Sequence, residues 1–136
     1  MVKERDLKRA AFVLIAAAML ILVGCKSAPI YNVTDVPVDT YTKDLTAEKV
    51  KKAIVKAGVG LGWQIKEEGP GKLVGILYLR KHMAKIDIPY SANGYSLIYK
   101  DSNQLNYDAE KQQIHKNYNG WIQNLDRAIQ SHLVAL

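Results

Sequence analysis

The sequence has no second cysteine. Cys25 is its only one in 136 residues, so no disulfide framework can form and the core must stand on apolar burial. It has no Gly-x-Ser-x-Gly elbow of a serine hydrolase and no helical histidine pair at i, i+4 of a zinc protease. Internal repeats and low-complexity tracts are absent too, which excludes solenoids and disordered arrays. A long apolar run is also missing. The longest stretch, Ala10 to Val23, holds 14 residues, whereas a membrane-spanning helix needs roughly 20.

That short run has an informative setting. Ahead of it, Lys3, Arg5, Lys8 and Arg9 outweigh Glu4 and Asp6. Behind it stands Leu22-Val23-Gly24-Cys25. A basic start, an apolar stretch of this length and a small residue at the cleavage position are the three parts of a secretory signal. The four-residue run resembles the lipobox of bacterial lipoproteins. The resemblance implies cleavage between Gly24 and Cys25. It also implies a diacylglycerol thioether on the Cys25 sulfur and an acyl group on its new amine. One chain alone binds a bilayer only marginally, while two or three hold firmly. No other cofactor is expected. In enterobacterial lipoproteins an Asp after the cysteine favours the inner membrane; Lys26 here implies the outer membrane, periplasmic face.

Removing residues 1–24 leaves 112 residues, with 15 Lys/Arg against 11 Asp/Glu and a net charge of +4. This is one domain's worth of chain. The expected organisation is signal peptide 1–24, lipidated N-terminus and tether 25–43, and a single domain 44–136. A mild basic bias at an envelope address points to anionic head groups or an acidic protein, and nucleic acid is not an expected partner.

Pro29 and Pro37 keep residues 26–43 out of helix. This stretch reads as a tether, with an edge strand from Val36 to Tyr41. Val50, Ala53, Ile54 and Ala57 recur at helical spacing and predict a helix over 45–57, capped by Asp44 or Thr46 and ended by Gly58, Gly60 and Gly62. Strands follow over 63–67, 73–82, 84–90 and 95–100, with turns at Pro70-Gly71 and Asn93-Gly94. Residues 101–108 read as loop. A stripe of Ile114, Tyr118, Trp121, Ile122, Leu125, Ile129 and Leu133 predicts a last helix over 109–133. The result is an α+β domain: an antiparallel sheet of about four strands with two helices on one face, helix-grip-like.

Several phrases are Leu61-Gly62-Trp63, Tyr99 with Ser102-Asn103 and Leu105-Asn106-Tyr107, and Ile114-His115 with Tyr118-Asn119 and Trp121-Ile122. They resemble a group of small proteobacterial lipoproteins across most of residues 46–133. The resemblance implies a periplasmic lipoprotein and carries over no catalytic residue. A looser similarity of size and layout links the chain to lipoprotein accessory subunits of outer-membrane assembly machines, and fold alone does not give function.

Candidate sites are few. Lys49, Lys52 and Lys56, with Lys51 beside them, form a basic stripe suited to phosphate-rich head groups or an acidic partner. His115, Asn119 and Tyr107 could line a polar groove between last helix and sheet. His82, Asp87 and His115 match no metal-ligand spacing, so no metal is expected. Ser91, Ser96 and Ser102 lack the setting of a nucleophile, so no catalytic residue is assigned. The leading expectation is a membrane-anchored, non-catalytic binding or assembly accessory that engages an envelope protein or component. The alternative is a small-molecule or lipid carrier using the helix–sheet groove, and a hydrolytic enzyme comes third.

Overall fold

The computed structural model describes residues 3–9, 26–38 and 44–136. Gly24, Cys25 and residues 39–43 lie outside them. Residues 4–9 are helical. From Lys26 onward the order is β1 (Ser27–Pro29), β2 (Val33–Pro37), α1 (Ala47–Gly60), β3 (Gln64–Glu67), β4 (Lys72–Leu79), β5 (His82–Pro89), β6 (Gly94–Asn103), β7 (Gln113–His115) and α2 (Lys116–Val134). Strands β2-β6-β5-β4-β3 make one five-stranded sheet, and β1-β7 a separate two-stranded ribbon. Every pairing is antiparallel. The fold is α+β with an open antiparallel sheet.

Alternation decides which face is covered. Leu73 and Leu77 of β4, Ala84, Ile86 and Ile88 of β5, and Tyr95 and Leu97 of β6 point to one side. There they join Val50, Ala53, Ile54 and Ala57 of α1 and Tyr118, Ile122, Leu125, Ile129 and Leu133 of α2 in one core. Gly75 lets Trp63 lie against the sheet. A Cβ at Gly75 would stand 3.2 Å from the Trp63 ring and 3.1 Å from Ile86.

Pairing also sorts the elements into two ends. The β4–β5 hairpin, the end of β6, the starts of β2 and β3, and the end of α1 gather at one end, because Leu79 faces His82, Met83 faces Asn103 and Gln64 faces Ile76. The start of α2 joins them, with Trp121 stacked 6.4 Å from His82. Residues 26–32 enter here, so we call this end proximal. The distal end holds the turn at Pro70-Gly71, the β5–β6 hairpin and the end of α2. The helices therefore run in opposite directions.

Several boundaries differ from the sequence reading. Helix α1 runs through Gly58 to Gly60, with Thr46 as the N-cap that accepts the Lys49 amide at 3.2 Å. Gly58 is a packing glycine, since a Cβ there would meet Ile65 at 2.7 Å. The predicted strand 73–82 is broken by a turn at Arg80-Lys81, where Arg80 takes φ 55°. Strand β6 reaches Asn103 by a register shift near Lys100. The last helix starts at Lys116 rather than Ala109. Asp108 folds residues 108–111 into a turn, its carboxylate accepting the Glu110 and Lys111 amides at 3.0 Å. Gln112 then adopts φ 51°, which helix does not permit.

The largest correction concerns the tether. Residues 26–38 are not a free linker. Ser27, Ala28 and Pro29 pair with His115, Ile114 and Gln113, and Val33–Pro37 form an edge of the main sheet. The edge strand begins earlier than predicted, and residues 39–41 of the predicted span lie outside the described residues.

Candidate functional site

The predicted groove residues sit together at the proximal end, but the chain's own N-terminal segment occupies the place. The Asn119 side chain clamps that segment with both halves of its amide. Its Oδ1 accepts the Tyr31 amide at 3.0 Å, and its Nδ2 donates to the Pro29 carbonyl at 2.8 Å. Asn32 adds a third tie, its Oδ1 accepting the Tyr99 amide at 2.9 Å. The Ile30 amide donates to the Gln112 carbonyl at 2.9 Å, and the Ile30 side chain packs against the core. His115 holds the end of β7 and caps α2, its Nδ1 accepting the Asn117 amide at 3.2 Å. Each bond is worth about 0.5–1.5 kcal/mol net, so the strap as a whole is firmly seated. Asn119 thus holds the strap, and His115 pairs with it through the backbone while its ring caps α2.

Tyr107 packs its ring 4.3 Å from that of Tyr99, which also meets Tyr118 edge-on at 5.6 Å. Burial raises the Tyr99 phenol above its ordinary value, against the lowering effect of the Ser102 hydroxyl 2.8 Å away. Burial pushes the Tyr118 phenol up further. Its hydroxyl has no hydrogen-bond partner among the described residues. At the distal end, burial and then the Asp126 carboxylate, 2.6 Å from the hydroxyl, raise Tyr95.

Lys49, Lys52 and Lys56 are exposed along α1 as the periodicity requires. Lys51 leaves the stripe and reaches Glu67 of β3 at 2.8 Å, and this bond holds its ammonium above the ordinary value. The sheet's uncovered face carries Ile76, Met83 and Ile98, all half-buried. Beside them Lys100 Nζ lies 3.2 Å from Asp87 Oδ1 and 3.5 Å from Glu68, and Lys72 approaches Asp87 at 3.6 Å. The Asp87 bond raises the Lys100 ammonium.

The other imagined constellations come apart. His82 and Asp87 project from opposite faces of β5, and His82 Nδ1 is 2.7 Å from the Gln104 carbonyl. Ser91 accepts the Asn93 amide, Ser96 accepts the Asp35 amide, and Ser102 pairs with Tyr99. These three hydroxyls make structural bonds on separate segments.

Two open clefts mark the surface. One, of about 390 Å³, lies at the distal end between Asp35, Pro37, Tyr90 and Ser96. The other, of about 410 Å³, lies on the first turns of α2 around Gly120, walled by the amides of Asn117, Asn119, Gln123 and Asn124 beside Trp121.

The sequence reading missed the proximal tip. Leu79, Arg80 and Lys81 form an exposed hairpin end, with Tyr78 62% and Leu79 46% exposed. Its signal was the Arg80-Lys81 pair interrupting an apolar alternation. Comparison with protein families, with curated proteins and with solved structures returned no match.

Proposed function

We propose that this chain is a lipid-anchored protein of the bacterial envelope, carried on Cys25 at the periplasmic face of the outer membrane. On this reading its domain acts without chemistry, as a binding or assembly accessory. The observation that supports it is the contrast between the sheet's two faces. The helix-covered face is filled by large side chains, with Tyr95, Tyr118, Ile86 and Leu97 essentially without exposure. No described helix covers the other face, which mixes Ile76, Met83 and Ile98 with ion-paired lysines and carboxylates. A half-apolar sheet face with a polar surround suits a protein partner.

Copurification from solubilised membranes tests the partner. Met83→Glu and the milder Lys85→Glu should strip associated envelope proteins without lowering the melting temperature. An unchanged set of partners in both variants contradicts the reading. The anchor is tested separately by palmitate labelling, which Cys25→Ser should abolish.

A further inference from the structure

The geometry points to the proximal end of the domain as a surface that lies directly on an anionic lipid bilayer. This inference rests on the proposed anchoring through Cys25 and adds an orientation to it.

A free linker over residues 26–43 would let the domain float tens of ångströms from its anchor, since extended chain spans at most ~3.5 Å per residue. The strap removes that freedom. Ser27 is already paired with His115, so the chain from Cys25 to Ser27 spans at most ~7 Å. The residue carrying the acyl chains therefore leaves the domain beside β7 and the start of α2.

Tyr31, Val59, Leu61, Tyr78, Leu79 and Tyr107 are exposed large apolar side chains. Strand pairing puts Tyr78 and Leu79 at the proximal end, Val59 and Leu61 lead into the start of β3, Tyr31 is held by Asn119, and Tyr107 follows the end of β6. Among the described residues beyond 26 the others of this kind are Val134 and Leu136, at the distal end of α2. Tyrosines at the edge of an apolar surface suit the head-group layer, where the ring is buried and the hydroxyl stays wet.

Lys26, Arg80, Lys81, Lys111 and Lys116 stand on the segments that form this end, against Asp101, Asp108 and Glu110, which leaves it net basic. Juxtamembrane basic residues are drawn to anionic lipid. The three observations are independent, and each selects the same end. They leave the Lys49, Lys52 and Lys56 stripe along the flank of the domain rather than on the bilayer.

The test uses the full lipidated protein in vesicles of phosphatidylethanolamine with a minor fraction of phosphatidylglycerol. Once Cys25 is in a thioether, an introduced cysteine is the only thiol. Asn117→Cys and Ser131→Cys place a fluorophore on exposed positions at the two ends of α2, separated by roughly 20 Å at 1.5 Å per residue. Lys81→Cys labels the hairpin tip. A nitroxide on the lipid head group should quench the labels at 117 and 81 several-fold more than the label at 131. Asn119→Ala, which unclasps the strap, should shrink that difference. Equal quenching at 117 and 131 in protein that floats with the vesicles overturns the orientation and leaves the anchor standing. Protein that does not float overturns both.

Discussion

The two ends of the helix–sheet sandwich are built on different principles. The distal end is closed by local turn chemistry. Pro70-Gly71 carries a glycine at φ 72°, and the β5–β6 hairpin is tied by the Ser91 amide to the Gly94 carbonyl. The proximal end is closed by distant chain. A strap from residues 26–32 reaches segments some 70 to 90 positions away, and Asn119, Asn32 and His115 hold it with polar groups. Around those turns the distal end also takes in β2, through the Asp35 amide on Ser96, and the end of α2, through Asp126 on Tyr95. The proximal end brings the entering chain, exposed aromatics and basic residues to one place. The core between them supplies stability, while the strap supplies direction.

That contrast can be broken at graded cost. Ile86→Ala removes fully buried side-chain volume in the shared middle and should cost about 2–5 kcal/mol of global stability, read from urea unfolding. At the distal end, a Cβ at Gly94 would stand 2.6 Å from the Val36 carbonyl oxygen. Gly94→Ala should therefore displace β2 and cost ~1–3 kcal/mol. At the proximal end, Asn119→Ala should cost only ~1–2 kcal/mol, with the loss confined to the strap. Hydrogen exchange would show this as deprotected Ile30 and Tyr31 amides beside unchanged core amides. Equal deprotection of the core would make the strap part of the global fold and erase the contrast.

A smaller effect has the opposite sign. The Tyr118 hydroxyl is buried without a partner among the described residues, so Tyr118→Phe should raise stability by ~1 kcal/mol. Its raised phenol, with that of Tyr95, also sets an alkaline limit. Both groups are neutral when folded, and their folded values lie above the unfolded value near 10.0. Their contribution is complete below pH ~10 and is lost as pH climbs from there toward the folded values. Urea midpoints should hold between pH 7 and 9 as far as these tyrosines are concerned and fall above ~10. Tyr118→Phe should soften the fall. Leu79→Ser should change stability least, within ~0.5 kcal/mol, yet weaken contact with anionic vesicles.

The sequence was readable where one local force decides. Alternation in Ala84, Ile86 and Ile88 and the periodic stripe of α2 fixed the covered face, because burial of one face is enough to set both. The Pro70-Gly71 turn was legible for the same reason. It was not readable where distant segments compete for one place. Nothing local in Ser27-Ala28-Pro29 announces its pairing with Gln113–His115, since three-residue strands have no period to detect. Arg80 and Gln112 hid their turns because positive φ is expected of glycine or asparagine, and tertiary pairing imposed it instead. His115 and Asn119 were rightly placed off the apolar stripe; the Asn119 side chain proved to hold the backbone of Pro29 and Tyr31, and the His115 ring the Asn117 amide.

The membrane half of the account depends on Cys25 more than on any other residue. Mass spectrometry of the N-terminal peptide from membrane-purified protein tests it most directly. The account predicts that the peptide begins at Cys25, with a diacylglyceryl thioether and an acylated amine. A chain that retains residues 1–24, or one that begins at Cys25 with a free thiol, would contradict it.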